Sequence, residues 1–221
     1  MDQAEVLRRF WLNWGVQFAV AVTTFAAVLV ALFGQAFRAK FFPPQLTVSL
    51  ADPEGEKTKV RLTSLEDGVQ KERTEDARYY HLAVRNDRRW SPANQVQVVL
   101  LSVEEPGADG RFAPIWTGDL PLGWRHQQVL SGARTVGPMG HVDLCSIVRT
   151  KWLQLHPLVA PFNLEVIRRT SANLILRVQA RSNESDSKIL SVRVSWDGQW
   201  HDGATEMQRH LVIRVITDEN P

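Results

Sequence analysis

The chain has 221 residues, 44% of them hydrophobic and 23% charged, with a formal net charge of +2 and a single cysteine. That length provides one buried core beside an anchor and is short for two. Balanced charge removes the general attraction that drives binding to nucleic acid or anionic lipid, and one cysteine excludes an internal disulfide.

Phe10 to Phe37 is a run of 28 residues without a single Asp, Glu, Lys, Arg or His. Within it, Gly15 to Gly34 is long enough, at ~1.5 Å per residue, to cross a ~30 Å hydrocarbon core. Arg8 and Arg9 close one end; Arg38 and Lys40 close the other. A lone apolar span must satisfy its backbone internally, so 10–37 reads as a transmembrane helix in the lipid bilayer, behind an N-terminal flank over 1–9. Its polar residues (Asn13, Gln17, Thr23, Thr24, Gln35) are uncharged, and the threonines can bond back to their own helix. Phe10, Trp11 and Trp14 at one edge, and Phe33, Phe37, Phe41 and Phe42 at the other, suit the headgroup level. Two rivals are weaker. A buried core helix seldom holds an apolar run above ~14 residues, and the apolar region of a cleaved signal peptide is about 7–15 residues. Gly34 and Ala36 do leave a small-x-small pair of the kind cleavage uses. Ala27 and Ala31 offer a small-xxx-small face for self-association, although alanine also serves as plain filler.

Sidedness is close to a tie: Arg8 and Arg9 precede the span, and Arg38, Lys40 and Lys57 follow it. The lone Cys145 fits a reducing compartment without requiring one, which tips the expectation towards a cytosolic C-terminal domain.

Phe42-Pro43-Pro44 stops the helix, and 38–44 is a linker short enough to hold the next domain near the membrane surface. That domain is expected over 45–217, with 218–221 as a tail. Leu46, Val48 and Leu50 alternate as a strand. Asp52-Pro53-Glu54-Gly55 turns the chain, and Val60 and Leu62 begin a short second strand. From Glu66 to Asp76 seven of eleven residues are charged, which predicts a solvated loop, with an acidic docking site as the sharper alternative. Tyr80, Leu82 and Val84 alternate with His81, Ala83 and Arg85; after a turn from Asn86 to Pro92, Val96, Val98 and Leu100 alternate again. Between Glu104 and Pro161 the pattern loosens to turns and one short strand over Ile115 to Leu122. This region reads as an insertion or as extra edge strands. The last third is β: Leu164 and Val166, then Leu174, Leu176 and Val178, then Ile189 to Trp196. Asp197-Gly198 predicts a tight hairpin turn, and Leu211, Ile213 and Val215 form the closing strand.

The stretch from Tyr79 to Val103 combines an aromatic-led strand, Val84-x-Asn86, a basic turn, and Pro92-Ala93-x-x-Val96-x-Val98. It resembles bacterial immunoglobulin-like domains, including the CARDB group of adhesion-type sandwiches, over these twenty-five residues. Asp87-Arg88-Arg89-Trp90 stands where such turns usually carry glycine. The whole chain resembles single-pass bacterial membrane proteins built from a short anchor and one sandwich, a class that implies no particular activity. Together these imply a mainly β fold, an N-terminal transmembrane helix followed by one enlarged immunoglobulin-like β-sandwich, in the bacterial inner membrane.

No Walker loop, dinucleotide fingerprint, GxSxG elbow or HExxH occurs, and no cofactor is implied. The weak metal candidate is His141, Asp143 and Cys145, which an unbroken strand places on one face, about 6.6 Å apart and too wide to converge without a bulge. A buried small hydrophobe is the plainer reading of Cys145. His81, His156 and His210 are flanked by apolar residues and read as structural. Arg88, Arg89 and Trp90 on one turn, with Trp124, Arg125 and His126 on another, are the candidate ligand or partner surface, since arginine forks and indoles are common anchors. The plainer alternative has both tryptophans covering the ends of the sandwich beneath the arginines. The Trp196–Trp200 pair reads as a cross-strand contact rather than a sugar platform. The leading function is therefore a membrane-tethered, non-catalytic module presented to a protein partner. A small-ligand or glycan sensor using the two Arg/Trp loops comes second, and a metal- or Cys-dependent enzyme last.

Overall fold

The computed structural model describes residues 3–66, 69–125, 132–149, 152–161, 164 and 168–216. The chain divides into two compact units, Met1–Pro43 and Pro44–Pro221. The first is one helix, α1 (Gln3–Phe41), longer at both ends than the 10–37 expected from hydropathy. The flanking charges mark the edges of the apolar run, not of the helix, because Ala, Glu, Leu, Arg and Lys are all good helix formers. The helix stops just before Pro43-Pro44, as their missing N–H groups and fixed φ require. Thr23 Oγ1 donates to the carbonyls of Ala19 and Val20 at 2.9 Å, and Thr24 Oγ1 to Val20 at 2.8 Å, so both hydroxyls are satisfied within the helix. Asn13–Ala31, 19 residues of mean hydropathy 1.8 with none buried, is long and apolar enough to span a membrane.

The second unit is mainly β; its described residues form two six-stranded sheets whose pairings are antiparallel. The strands in chain order begin with β1 (Leu46–Leu50), β2 (Glu56–Glu66), β3 (Val69–Asn86) and β4 (Ala93–Pro106). Then come β5 (Phe112–Pro121), β6 (Arg134–Val136), β7 (Met139–Val148) and β8 (Leu153–Leu155). β9 (Arg168–Arg169), β10 (Ala172–Arg181), β11 (Leu190–Trp196), the short helix α2 (Ala204–His210) and β12 (Leu211–Ile216) complete it. One sheet runs β1-β3-β7-β8-β9 with β2 also on β3; the other runs β12-β11-β10-β4-β5 with β6 also on β4. Period-two alternation puts Tyr80, Leu82 and Val84 of β3 and Val96, Val98 and Leu100 of β4 into one apolar cluster. Leu174, Leu176 and Val178 of β10, with Val192 and Val194 of β11, join the same cluster, so both sheets share a single core.

Three elements differ from the sequence expectation. Residues 69–76 are strand, not loop: β2 and β3 pair in unbroken register from Glu56↔Tyr79 to Glu66↔Val69. The ladder itself and charge pairs such as Arg61–Glu72 (3.6 Å) hold this polar stretch in β form, whereas composition alone favours a loop. The region 104–161 is not peripheral, because β7 lies between β3 and β8 in the first sheet. Its alternation is broken by an irregularity that hides the strand pattern. Finally, β11 and β12 are joined not by a two-residue turn but through residues 197–210, which contain α2. Gly198 does take a positive φ (+93°), as expected. Trp196 is buried in β11, while Trp200 lies outside any strand and packs on the core edge, so the two are not a cross-strand pair. Val166 and the tail 218–221 fall outside the described residues.

Candidate site on the outer face of the first sheet

β3 has two faces, and the second carries the chemistry. Tyr80, Leu82 and Val84 enter the core, which turns Tyr79, His81 and Ala83 to the opposite side. Across the β3–β7 ladder Ala83 meets His141, His81 meets Asp143, and Tyr79 meets Ser146. Tyr80 meets Cys145 one step on from the His81–Asp143 pair, so Leu144 is an extra residue and β7 bulges there. Val142 and Leu144 point into the core before the bulge, and Cys145 and Ile147 after it.

That bulge corrects the proposed metal set. His141 and Asp143 face outward, but Cys145 is turned inward, with 0% exposure, and burial pushes its thiol up to about 12. Among the described residues no group of three or more His, Cys, Asp and Glu is placed to hold a metal ion. Cys145 is a core residue.

On the outward face His81 Nδ1 lies 2.8 Å from Asp143 Oδ1. An ionised carboxylate only accepts, so the contact assigns the ring proton to Nδ1 and, in a neutral ring, leaves Nε2 as an acceptor. Nε2 is buried without a hydrogen-bond partner, 3.8 Å from Glu56 Oε2. The His81 side chain is only 6% exposed although it stands on an outer face. Its cover comes from both sides of the ladder. Glu56 is supplied by β2, and Arg125 by a segment beside β7, where its N–H donates to the His141 carbonyl at 3.0 Å. The Glu56 carboxylate and the Arg125 guanidinium are ion-paired. A cavity of about 260 Å³ opens against this pair, with Thr58, Lys59, Val60 and Tyr79 completing its walls around His81 and Asp143.

The neighbouring groups are shifted by the same surroundings. Burial, the Asp143 charge and an opposing hydrogen bond with Ser146 set the Tyr79 phenol, with a net shift above its ordinary value. Burial, then the Arg125 charge and the neighbouring His81, hold His141 below the usual imidazole range. His156 is also held low, chiefly by burial, with Asp143 opposing and His81 adding to the effect. The His156 ring stacks on Tyr79 at 5.2 Å, and its Nε2 is 2.7 Å from Ser146 Oγ. Ser146 is 3% exposed, so this Ser–His contact braces the sheet face and presents no accessible nucleophile.

The residues singled out from the sequence are only partly brought here. Trp124 bridges to Val142 and is 3% exposed, its Nε1 donating to the Gly132 carbonyl at 3.1 Å. Gly140 makes room for that indole: a Cβ there would lie 2.8 Å from Trp124 Cζ3. Trp124 is thus a core side chain rather than a surface anchor. Arg125 belongs to the cavity, and His126 lies outside the described residues. Arg88, Arg89 and Trp90 occupy the β3–β4 turn, with Trp90 57% exposed. Asn86 replaces the missing glycine as organiser of that turn: its Oδ1 accepts from Arg88 N at 3.2 Å and its Nδ2 donates to the Ser91 carbonyl at 2.7 Å. The parity of Tyr79 and His81 against Tyr80 and Leu82 was the signal for this site; nothing local marks Glu56 or Thr58 as their neighbours.

A larger cavity, about 480 Å³, lies by Glu105, Arg169, Asn173, Asp197 and His210. Its charged groups pair with one another, Arg169 with Glu105 at 3.0 Å and His210 with Asp197 at 2.6 Å, while Arg169 Nε is buried without a hydrogen-bond partner among the described residues. Comparison of the chain with protein-family models, curated proteins and solved structures returns no match.

Proposed function

We propose that this protein is a single-pass, membrane-tethered, non-catalytic binding module whose β unit is presented to a protein partner. The observation that carries the tether is Asn13–Ala31, an apolar helical stretch none of which is buried. Water leaves such a surface uncovered, and lipid covers it. In this reading the two sheets around one core form an enlarged immunoglobulin-like sandwich, whose shared apolar cluster supports that architecture. The membrane is the bacterial inner membrane, with the β unit on its cytosolic side; a free, buried Cys145 is compatible with that compartment. Fractionation with alkaline carbonate washing is the first test, and full-length chain retained in the membrane pellet is the expected result. Full-length chain that stays in buffer without surfactant overturns the tether. Cross-linking in intact membranes, followed by identification of the adducts, tests the partner; a chain that yields no specific adduct removes that part of the reading.

A second reading, a small-ligand sensor, is favoured by one observation: the buried, unpartnered Nε2 of His81 beside a cavity. The site moves from the two Arg/Trp loops to the sheet face, since Trp124 is buried and Arg125 pairs with Glu56. Calorimetric titration of the full chain with small polar probes tests it, and heat that disappears in Arg125→Gln is the expected signature.

A further inference from the structure

The cavity over His81 has a definite chemical preference, and the inference drawn from it rests on the sensor reading while being independent of the membrane tether. Its floor is a buried ring nitrogen without a hydrogen-bond partner. Asp143 takes the Nδ1 side of His81, so the buried Nε2 asks for a hydrogen-bonding group that no described side chain supplies. Leaving such a group unpaired is unfavourable, and a ligand that hydrogen-bonds to it recovers that loss. The cover is removable: Glu56 is about half exposed at its side chain (49%), and a solvent-facing ion pair with Arg125 holds it only weakly.

The remaining walls choose among ligands. Glu56, Asp143 and Arg125 meet at the cavity, so two carboxylates accept and a guanidinium donates within the same small space. Hydroxyl groups, each both donor and acceptor, fit that mixture better than any group with one role. Val60 and Tyr79 add an apolar wall for C–H surface. At about 260 Å³ the cavity is below the ~300 Å³ at which drug-sized sites begin, which limits the ligand to one small ring. We infer that this cavity binds a hydroxyl-rich molecule the size of a single hexose ring, with one hydroxyl hydrogen-bonded to His81 Nε2 and others bridging Glu56, Asp143 and Arg125.

The test uses the full chain in lipid nanodiscs, prepared without sugar-headgroup detergents, and saturation-transfer NMR with glucose, galactose and mannose as probes. Transfer to the ring C–H protons of at least one hexose is expected. His81→Phe, which keeps an aromatic ring but removes Nε2, should weaken that binding about tenfold or more. Thr58→Val, at an exposed strand position on the cavity side, removes a hydroxyl while keeping a β-branched side chain, and should weaken it by a smaller factor. Glycine and acetate serve as charged comparison probes. If they bind, lose binding in His81→Phe, and the hexoses do not bind, the cavity is a ligand site but the hydroxyl class is wrong. If no probe binds, the sensor reading falls with it. Hexose binding unchanged in both variants also overturns the assignment.

Discussion

Leu144 shows how much one residue decides. By adding a place to β7 it turns Cys145 into the core while Asp143 stays outside, within reach of His81. Two consequences are measurable. Cys145 is fully buried and its thiol is pushed up to about 12, so a maleimide should leave it unmodified in the folded chain and react fully in denaturant. Rapid labelling of the native protein would contradict the buried placement. His141 and His156 are both held below the ordinary imidazole value in the fold. Their unfolded forms therefore take up protons that the folded forms resist, so their contribution to stability is present above about pH 6.5 and is lost as pH falls through the lower folded values. The denaturant midpoint should drop between about pH 7 and about pH 5, and His156→Gln should flatten that drop. A midpoint insensitive to pH in this window would remove the depressed histidines from the account.

At the scale of elements, the β2–β3 hairpin is divided. Ala77 to Arg85 of β3 pair with β7, and Leu82 to Asn86 with β1, whereas residues 69–75 pair, among the described residues, only with β2. A ribbon of two strands with a mostly exposed, charged surface has little apolar burial to protect its hydrogen bonds. Amide exchange should therefore be fast over 59–66 and 69–76 and slow over 77–84. Equal protection along all of β3 would show that something else covers the ribbon. The same division explains why the site sits where it does: Glu56 is at the root of the hairpin, opposite Tyr79, where the ribbon joins the sheet.

At the scale of the whole molecule, the two compact units have opposite relations to water. The apolar stretch of α1 is exposed along its length, while the β unit closes thirty-one of its described residues into one buried cluster drawn from both sheets. A shared core makes the sheets depend on each other, so the β unit should unfold in one cooperative transition. Removing 1–43 should leave a chain over 44–221 that is soluble without detergent and melts in a single step. Aggregation of that fragment, or two separate transitions, would break the picture of a self-sufficient β body.

Chemistry that acts along the chain was readable from residues alone. An uninterrupted apolar run sets the long helix, two prolines end it, and period-two alternation in Tyr80-Leu82-Val84, Val96-Val98-Leu100 and Leu174-Leu176-Val178 marks core strands. These features depend on neighbours in sequence. The charged stretch 69–76 looked like loop because its β form is imposed by β2, and β7 looked peripheral because its bulge breaks the alternation that identifies a strand. The site belongs to the same class of facts. Glu56, His81, Arg125 and Asp143 are far apart along the chain, and only the lateral pairing of β2, β3, β7 and the segment at Arg125 brings a carboxylate and a guanidinium over one imidazole. Local residues determine which side of a strand each group faces; which groups become neighbours is decided by register, a property of pairs of strands rather than of either one.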